Sequence, residues 1–227
     1  MKKIILSILT VLSFISMHAQ EIPAKEAPQV HVSQEVAALR LATELVKYGY
    51  AQQSALPLID ALQILSEIPI QALDASKVGE AVIDSVAVEK KSKISFDYQS
   101  ILADAKRFAD GDANLLAIID NIDADAKGAT RGNVNGPSRD YAAVYANSHM
   151  DYTANFIADR VAEVLVSGDG DTDLDLYVYD SNGNLIARDN DYTDDCYVRW
   201  VPAWTGRYTI RIVNRGPVYN RFVILTN

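Results

Sequence analysis

The chain has 227 residues, 49% hydrophobic and 22% charged, with a formal net charge of −9 and one cysteine. So acidic a chain repels nucleic acid and anionic membrane surfaces, which argues against both as partners. A lone cysteine excludes an internal disulfide, so an exported form must be stabilised by core packing or by metal.

Lys2 and Lys3 precede an apolar run from Ile4 to Met17, and His18-Ala19-Gln20 offers a small-residue exit. This grammar predicts an export signal over residues 1–20, cleaved after Ala19 or Gln20. The run is shorter than the about 20 residues of a comfortable membrane span. The expected location is therefore the periplasm or the cell exterior, with no membrane insertion after cleavage. Residues 21–32, rich in Pro, Ala and Glu, read as a flexible leader.

A small helical domain is expected over 33–125. Ser33 is placed to cap a helix whose apolar positions are Val36, Leu39, Leu41, Leu45 and Val46, with Gly49 ending it. Ser54 starts a second helix, with Pro57 in its first turn and Pro69 beyond its end. A weaker helical pattern covers Ala75–Val86, and Glu89-Lys90-Lys91 reads as a loop. Phe96–Ala109 carries a third helix, Asp110-Gly111 a turn, and Asp112 caps a fourth through Leu115, Ile119 and Ile122. The Gly-rich segment 126–137 reads as a linker.

From residue 138 the texture becomes β. Short runs at Tyr141–Tyr145, Tyr152–Ile157, Val161–Val166, Leu174–Tyr179, Leu185–Arg188, Cys196–Val201, Arg207–Val213 and Arg221–Leu225 predict an antiparallel β-sandwich over 138–227. The fold class is thus α+β in two segregated parts. Asn182-Gly183 marks a tight hairpin, because both residues tolerate positive φ. Alternation puts Leu174, Leu176 and Val178 on the core face, with Asp173, Asp175, Tyr177 and Tyr179 opposite. The rows Tyr208-Ile210-Ile212 and Cys196-Val198-Trp200 also point inward, so Cys196 reads as a small buried hydrophobe.

The run Asp173-Leu174-Asp175-Leu176-Tyr177-Val178-Tyr179-Asp180, then Asn182-Gly183-Asn184, then Gly206-Arg207-Tyr208-Thr209-Ile210-Arg211-Ile212, resembles the bacterial pre-peptidase C-terminal domain. The resemblance implies a jelly-roll-like sandwich, usually an accessory module of secreted peptidases. Some related sandwich domains bind calcium and help engage bulky substrates. Here a helical region rather than a peptidase precedes it, and the resemblance does not extend to residues 33–125.

Two acidic stretches stand out: Asp169, Asp171, Asp173 and Asp175, and then Asp189, Asp191, Asp194 and Asp195. A hairpin turning at Asn182-Gly183 returns the chain to its starting level, so the two stretches should face each other. Converging carboxylates repel unless a cation intervenes. Calcium takes 6–8 oxygen ligands in flexible geometry and is the expected ion. The alternative is a solvated acidic surface. The spacing is not an EF-hand, because Leu174 stands where that loop needs Gly and Asp180 where it uses Glu.

No catalytic constellation is evident. Beyond the expected signal only His31 and His149 remain, neither with a metal-ligand partner at helical spacing, and there is no nucleophile elbow. Tyr177, Tyr179, Tyr192 and Trp204 are candidate binding aromatics. The expected function is an exported, non-catalytic module that engages a polysaccharide or protein. The alternatives are an accessory partner of a separate peptidase and a hydrolase with a site between the two parts.

Overall fold

The computed structural model describes residues 33–81, 92–128 and 137–227. The expected export signal, the leader, the Glu89-Lys90-Lys91 loop and most of the expected linker lie outside the described residues.

Helix α1 runs Gln34–Gln52, and the Ser33 hydroxyl accepts the Val36 amide at its start (3.1 Å). Gly49 does not end it. The helix continues three residues, to a left-handed Gln53. Gly49 is instead a point of contact, since a Cβ there would lie 2.6 Å from Leu58 of the next helix. Leu41, expected on the buried face, is 49% exposed. Helix α2 spans Ala55–Glu67, with no side-chain cap from Ser54. Two short strands follow, β1 (Gln71–Ala72) and β2 (Ala75–Val78). The helix expected from Ala75 is thus overturned over its first four residues. They pair with a neighbouring strand, and tertiary pairing overrides a weak local pattern; residues 82–86 lie outside the described residues. Helix α3 (Tyr98–Phe108) is capped by Asp97, and α4 (Ala113–Gly128) by Asp112, whose carboxylate accepts the Asn114 and Leu115 amides. Helix α4 therefore takes up the first three residues assigned to the linker.

The eight expected strands are present: β3 (Ser138–Val144), β4 (His149–Phe156), β5 (Ala162–Gly168), β6 (Leu174–Tyr179), β7 (Leu185–Asp189), β8 (Asp195–Trp200), β9 (Gly206–Asn214) and β10 (Asn220–Thr226). Together with β1 and β2 they form two five-stranded sheets. The first has the order β1-β3-β10-β5-β8 and the second β2-β4-β9-β6-β7. Pairing is antiparallel except between β1 and β3, which is parallel. The region 33–125 is thus not purely helical, for it adds one edge strand to each sheet.

Between the sheets lies the core expected from alternation. Leu174, Leu176, Val178, Ile210 and Ile212 are fully buried, with Tyr208, Cys196, Val198 and Trp200 beside them. A second core lies outside the first sheet. There Leu165, Val223 and Leu225 pack against Leu39, Val46, Leu58, Leu62 and Ile101 of the helices. The first sheet is consequently buried on both faces. No described element covers the outer face of the second.

Candidate functional site

The β6–β7 hairpin positions the acidic stretches. Gly183 adopts φ +82°, as the turn requires. The Asp180 carboxylate accepts the amides of Asn182 (2.8 Å) and Asn184 (2.9 Å) and the Asn184 side chain (2.9 Å). The Asn184 side chain, then the backbone amides, hold this carboxyl below its ordinary value. Leu176 pairs with Asp189, so the start of β6 and the end of β7 lie at one level. The loops beyond them meet: Leu174 N donates to Thr193 O (3.1 Å) and Gly168 N to Asp194 O (2.8 Å). The apposition expected from the hairpin is therefore present.

Within this rim most of the aspartates have protein partners. Asp169 is 1% exposed and accepts the Arg221 amide (3.0 Å); Asp171 accepts the Ser92 amide (2.9 Å). Asp189 accepts the Tyr197 amide (2.9 Å), and Asp191 accepts the Thr193 amide and hydroxyl. Asp194 and Asp195 share Lys47 of α1 at 2.9 and 2.7 Å, and Ser167 donates to Asp195. Asp175 is buried beneath Arg215, whose Nε lies 2.6 Å away. Asp173 differs. Its Oδ1 is buried with no hydrogen-bond partner among the described residues. Burial first, then the charges of Asp175, Asp191 and Asp194, push its carboxyl upward, against the opposing pull of Arg215. Among the described residues no group of three or more His, Cys, Asp or Glu side chains is placed to hold a metal ion.

The open face of the second sheet begins where the rim ends. Strand register sets Asp151, Arg211, Tyr177 and Arg188 in one row across β4, β9, β6 and β7. Thr153, Thr209, Tyr179 and Leu185 form the next. The Tyr177 and Tyr179 rings stack side by side, 6.4 Å apart and inclined by 24°. Tyr177 is pinned: its hydroxyl donates to Asp175 (3.0 Å) and accepts from Arg215 (3.3 Å). Arg211 grips Asp151 with two bonds (2.8 and 2.7 Å) and lays its guanidinium 5.7 Å from the centre of the Tyr179 ring. Arg188 and Arg207 are exposed on this face and have no ion pair among the described residues.

The other candidate aromatics are separate from this pair. Tyr192 is 96% exposed on the acidic loop. Trp204 stacks on Tyr208 (6.1 Å) at the opposite end of β9 from the rim. Sequence reasoning did not single out Lys47, Arg211 or Arg215. Arg211 was legible, since it shares the outward alternation of β9 with Arg207 and Thr209. Lys47 carries no such signal, because its role depends on how α1 docks.

The chain matches no protein-family model, and no curated protein is significantly similar in sequence. Solved structures are similar to part of it. One is the pre-peptidase C-terminal domain of a collagenase from Bacillus anthracis, with 9% identity, 39% of this chain and 87% of that one covered, and a TM-score of 0.35. Another is PliG of Aeromonas hydrophila, a periplasmic inhibitor of g-type lysozyme, with 13% identity, coverage of 40% and 84%, and a TM-score of 0.32. A third is a carbohydrate-binding module of a Cellvibrio mixtus lichenase in complex with cellotriose, with 11% identity, coverage of 42% and 80%, and a TM-score of 0.27.

Groups suited to chemistry are scarce among the described residues. Cys196 is 1% exposed, its thiol 3.1 Å from the Leu174 carbonyl. Burial, followed by the charges of Asp189 and Asp191, pushes that thiol well above its ordinary value. His149 is exposed on the outer face of β4, and His31 lies outside the described residues. The helix–sheet layer, where a hydrolase cleft is one alternative, holds a cavity of about 20 Å³ lined by Leu39, Val46, Tyr141 and Val223, and beside the start of α1 a recess of about 350 Å³ is lined by Ser33, Glu35, Arg160 and Asn227. A recess of about 180 Å³ at the layer's edge contains Asp97, whose carboxylate is engaged in capping α3.

Proposed function

We propose that this protein is an exported, non-catalytic binding module whose ligand surface is the open face of the second sheet. One observation carries the reading. The two sheets are alike in strand number, yet the outer face of the first is sealed by helices while that of the second displays the Tyr177–Tyr179 pair and its arginines. Aromatic rings held rigid at a surface favour recognition, because little side-chain freedom remains to be lost on binding. A flat strip rather than a closed pocket suits a macromolecule. Export is supported by the charged, apolar and small-residue order of residues 1–20.

The test is retention on immobilised envelope polysaccharides and envelope proteins. Wild type is expected to be retained on at least one. The double variant Tyr177→Ala, Tyr179→Ala is expected to elute freely with an unchanged circular dichroism spectrum. Undiminished retention of that variant would remove the open face from the account.

Calcium enters the reading through the donor set. Two apposed loops offer only oxygen ligands, and Asp173 carries a buried carboxylate oxygen with no hydrogen-bond partner among the described residues. As the side chains stand, Lys47 occupies the positions a cation at Asp194 and Asp195 would take. Calcium binding therefore requires Lys47 to release them. A melting temperature that rises with millimolar calcium and falls with chelator supports the ion; identical melts remove it.

A further inference from the structure

Resting on the open-face reading, the charge on that face identifies a ligand class. The chain as a whole carries −9. The open face has the opposite sign. It gathers Arg188, Arg207, Arg211 and Arg215 against three carboxylates, Asp151, Asp175 and, at the rim end, Asp173. Asp151 is already bonded to Arg211 and Asp175 to Arg215, and Asp173 lies beside Arg215 at the rim end. Arg188 and Arg207 are left as surplus cations, exposed at either end of the tyrosine pair: Arg188 opposite Tyr177, and Arg207 two residues before the Thr209 that pairs with Tyr179.

A basic, aromatic strip on an acidic protein is complementary to an anionic ligand that also presents flat apolar surface. Acidic polysaccharides combine these features. A pyranose ring has an apolar C–H face that lies on a tyrosine ring, and its carboxylate or sulfate projects sideways into the reach of a guanidinium fork. The surface is built for this before any ligand arrives. Tyr177 is fixed through Asp175 and Arg215, and Arg211 through Asp151. Order already present in the free protein reduces what binding must supply. The acidic rim bounds the strip at the Asp175 end, so an anionic polymer is directed toward Tyr179 and Arg207. We propose that the open face binds an acidic polysaccharide, its sugar rings on Tyr177 and Tyr179 and its anionic groups on Arg188 and Arg207.

Affinity electrophoresis of the full chain tests this, with polygalacturonate, dextran sulfate, neutral galactan and polyglutamate as probes. Chelator is kept in every lane, so that a cation on the rim cannot bridge the polymer. The expected result is retardation by polygalacturonate or dextran sulfate, and which of the two retards identifies a uronate or a sulfate as the recognised anion. Arg188→Ala should weaken that binding by about tenfold, the loss of one charge-assisted contact. Tyr177→Ala with Tyr179→Ala should weaken it at least as much. Arg188 has no ion pair to lose among the described residues, so its variant reads binding rather than folding. Equal retardation by polyglutamate overturns the polysaccharide in favour of an acidic peptide. Preference for neutral galactan, lost in the tyrosine variant, overturns the acidic ligand while leaving the open face standing. Binding indifferent to all three substitutions, or no binding to any probe, overturns the proposal.

Discussion

The two sheets have five strands each, but their outer faces have opposite surroundings. In the first sheet, β5 is buried at all seven positions and β10 at six of seven, because a core lies on each side. In the second, β9 alternates between buried and partly exposed along most of its length. A strand with one wet face must alternate, whereas a strand covered on both faces can be apolar throughout. The difference between Ala162–Gly168 and Gly206–Asn214 is thus the record of where the helices dock. It separates a face selected for packing from a face free for recognition.

The sharpest break between the faces is in stability. Leu225→Ala, in the helix–sheet core, should cost about 2–5 kcal/mol in urea unfolding. Thr209→Ala, on the open face, should change stability by no more than about 0.5 kcal/mol. Similar costs at the two positions would mean the open face is covered. Next comes the tie between the helices and the rim. Lys47→Met leaves Asp194 and Asp195 without their cation and should lower stability by about 1–3 kcal/mol, measured the same way.

Two smaller effects separate the turn from the rim by sign. The Asp180 carboxyl is held below its ordinary value, so its contribution exists above the usual carboxylate range and is lost as pH falls through the folded value. Asp180→Ala should lower the melting temperature at neutral pH, with the gap to wild type closing in acid. The Asp173 carboxyl is held above its ordinary value, so ionising it disfavours the fold. Its favourable contribution is present in acid and is lost as pH rises through the folded value. Asp173→Asn should therefore stabilise at neutral pH, by a few tenths of a kcal/mol given the solvent nearby. That gain should vanish below the carboxylate range. A calcium-loaded rim would cancel it as well.

Much of this was legible in the sequence because period-2 patterns are local. All eight strands of the region after residue 138, the inward rows of β6, β8 and β9, and the Asn182-Gly183 turn follow from short-range signals. So does the apposition of the two acidic loops, which one hairpin determines. The partners of those acids were not legible. Lys47 is distant from Asp194 in the chain and reaches it only because α1 lies on the first sheet. Arg215 covers Asp175 through the pairing of β6 with β9. The edge strand at Ala75–Val78 escaped for the same reason, since its conformation is set by β4. One available signal went unused: Val164-Leu165-Val166 of β5 and Phe222-Val223-Ile224-Leu225 of β10 are apolar without alternation, which calls for cover on both faces, and among the described elements the helices are left to supply it.

The central claim is that the open face of the second sheet, and not the helical layer, meets the ligand. The most direct measurement is a two-dimensional NMR titration of the ¹⁵N-labelled protein with oligosaccharides of whichever polymer retards it. The account predicts shifts concentrated at Tyr177, Tyr179, Arg188, Thr209 and Arg211, with the helices α1 to α4 unmoved. Shifts confined to the helices, or none at saturating oligosaccharide, would contradict it.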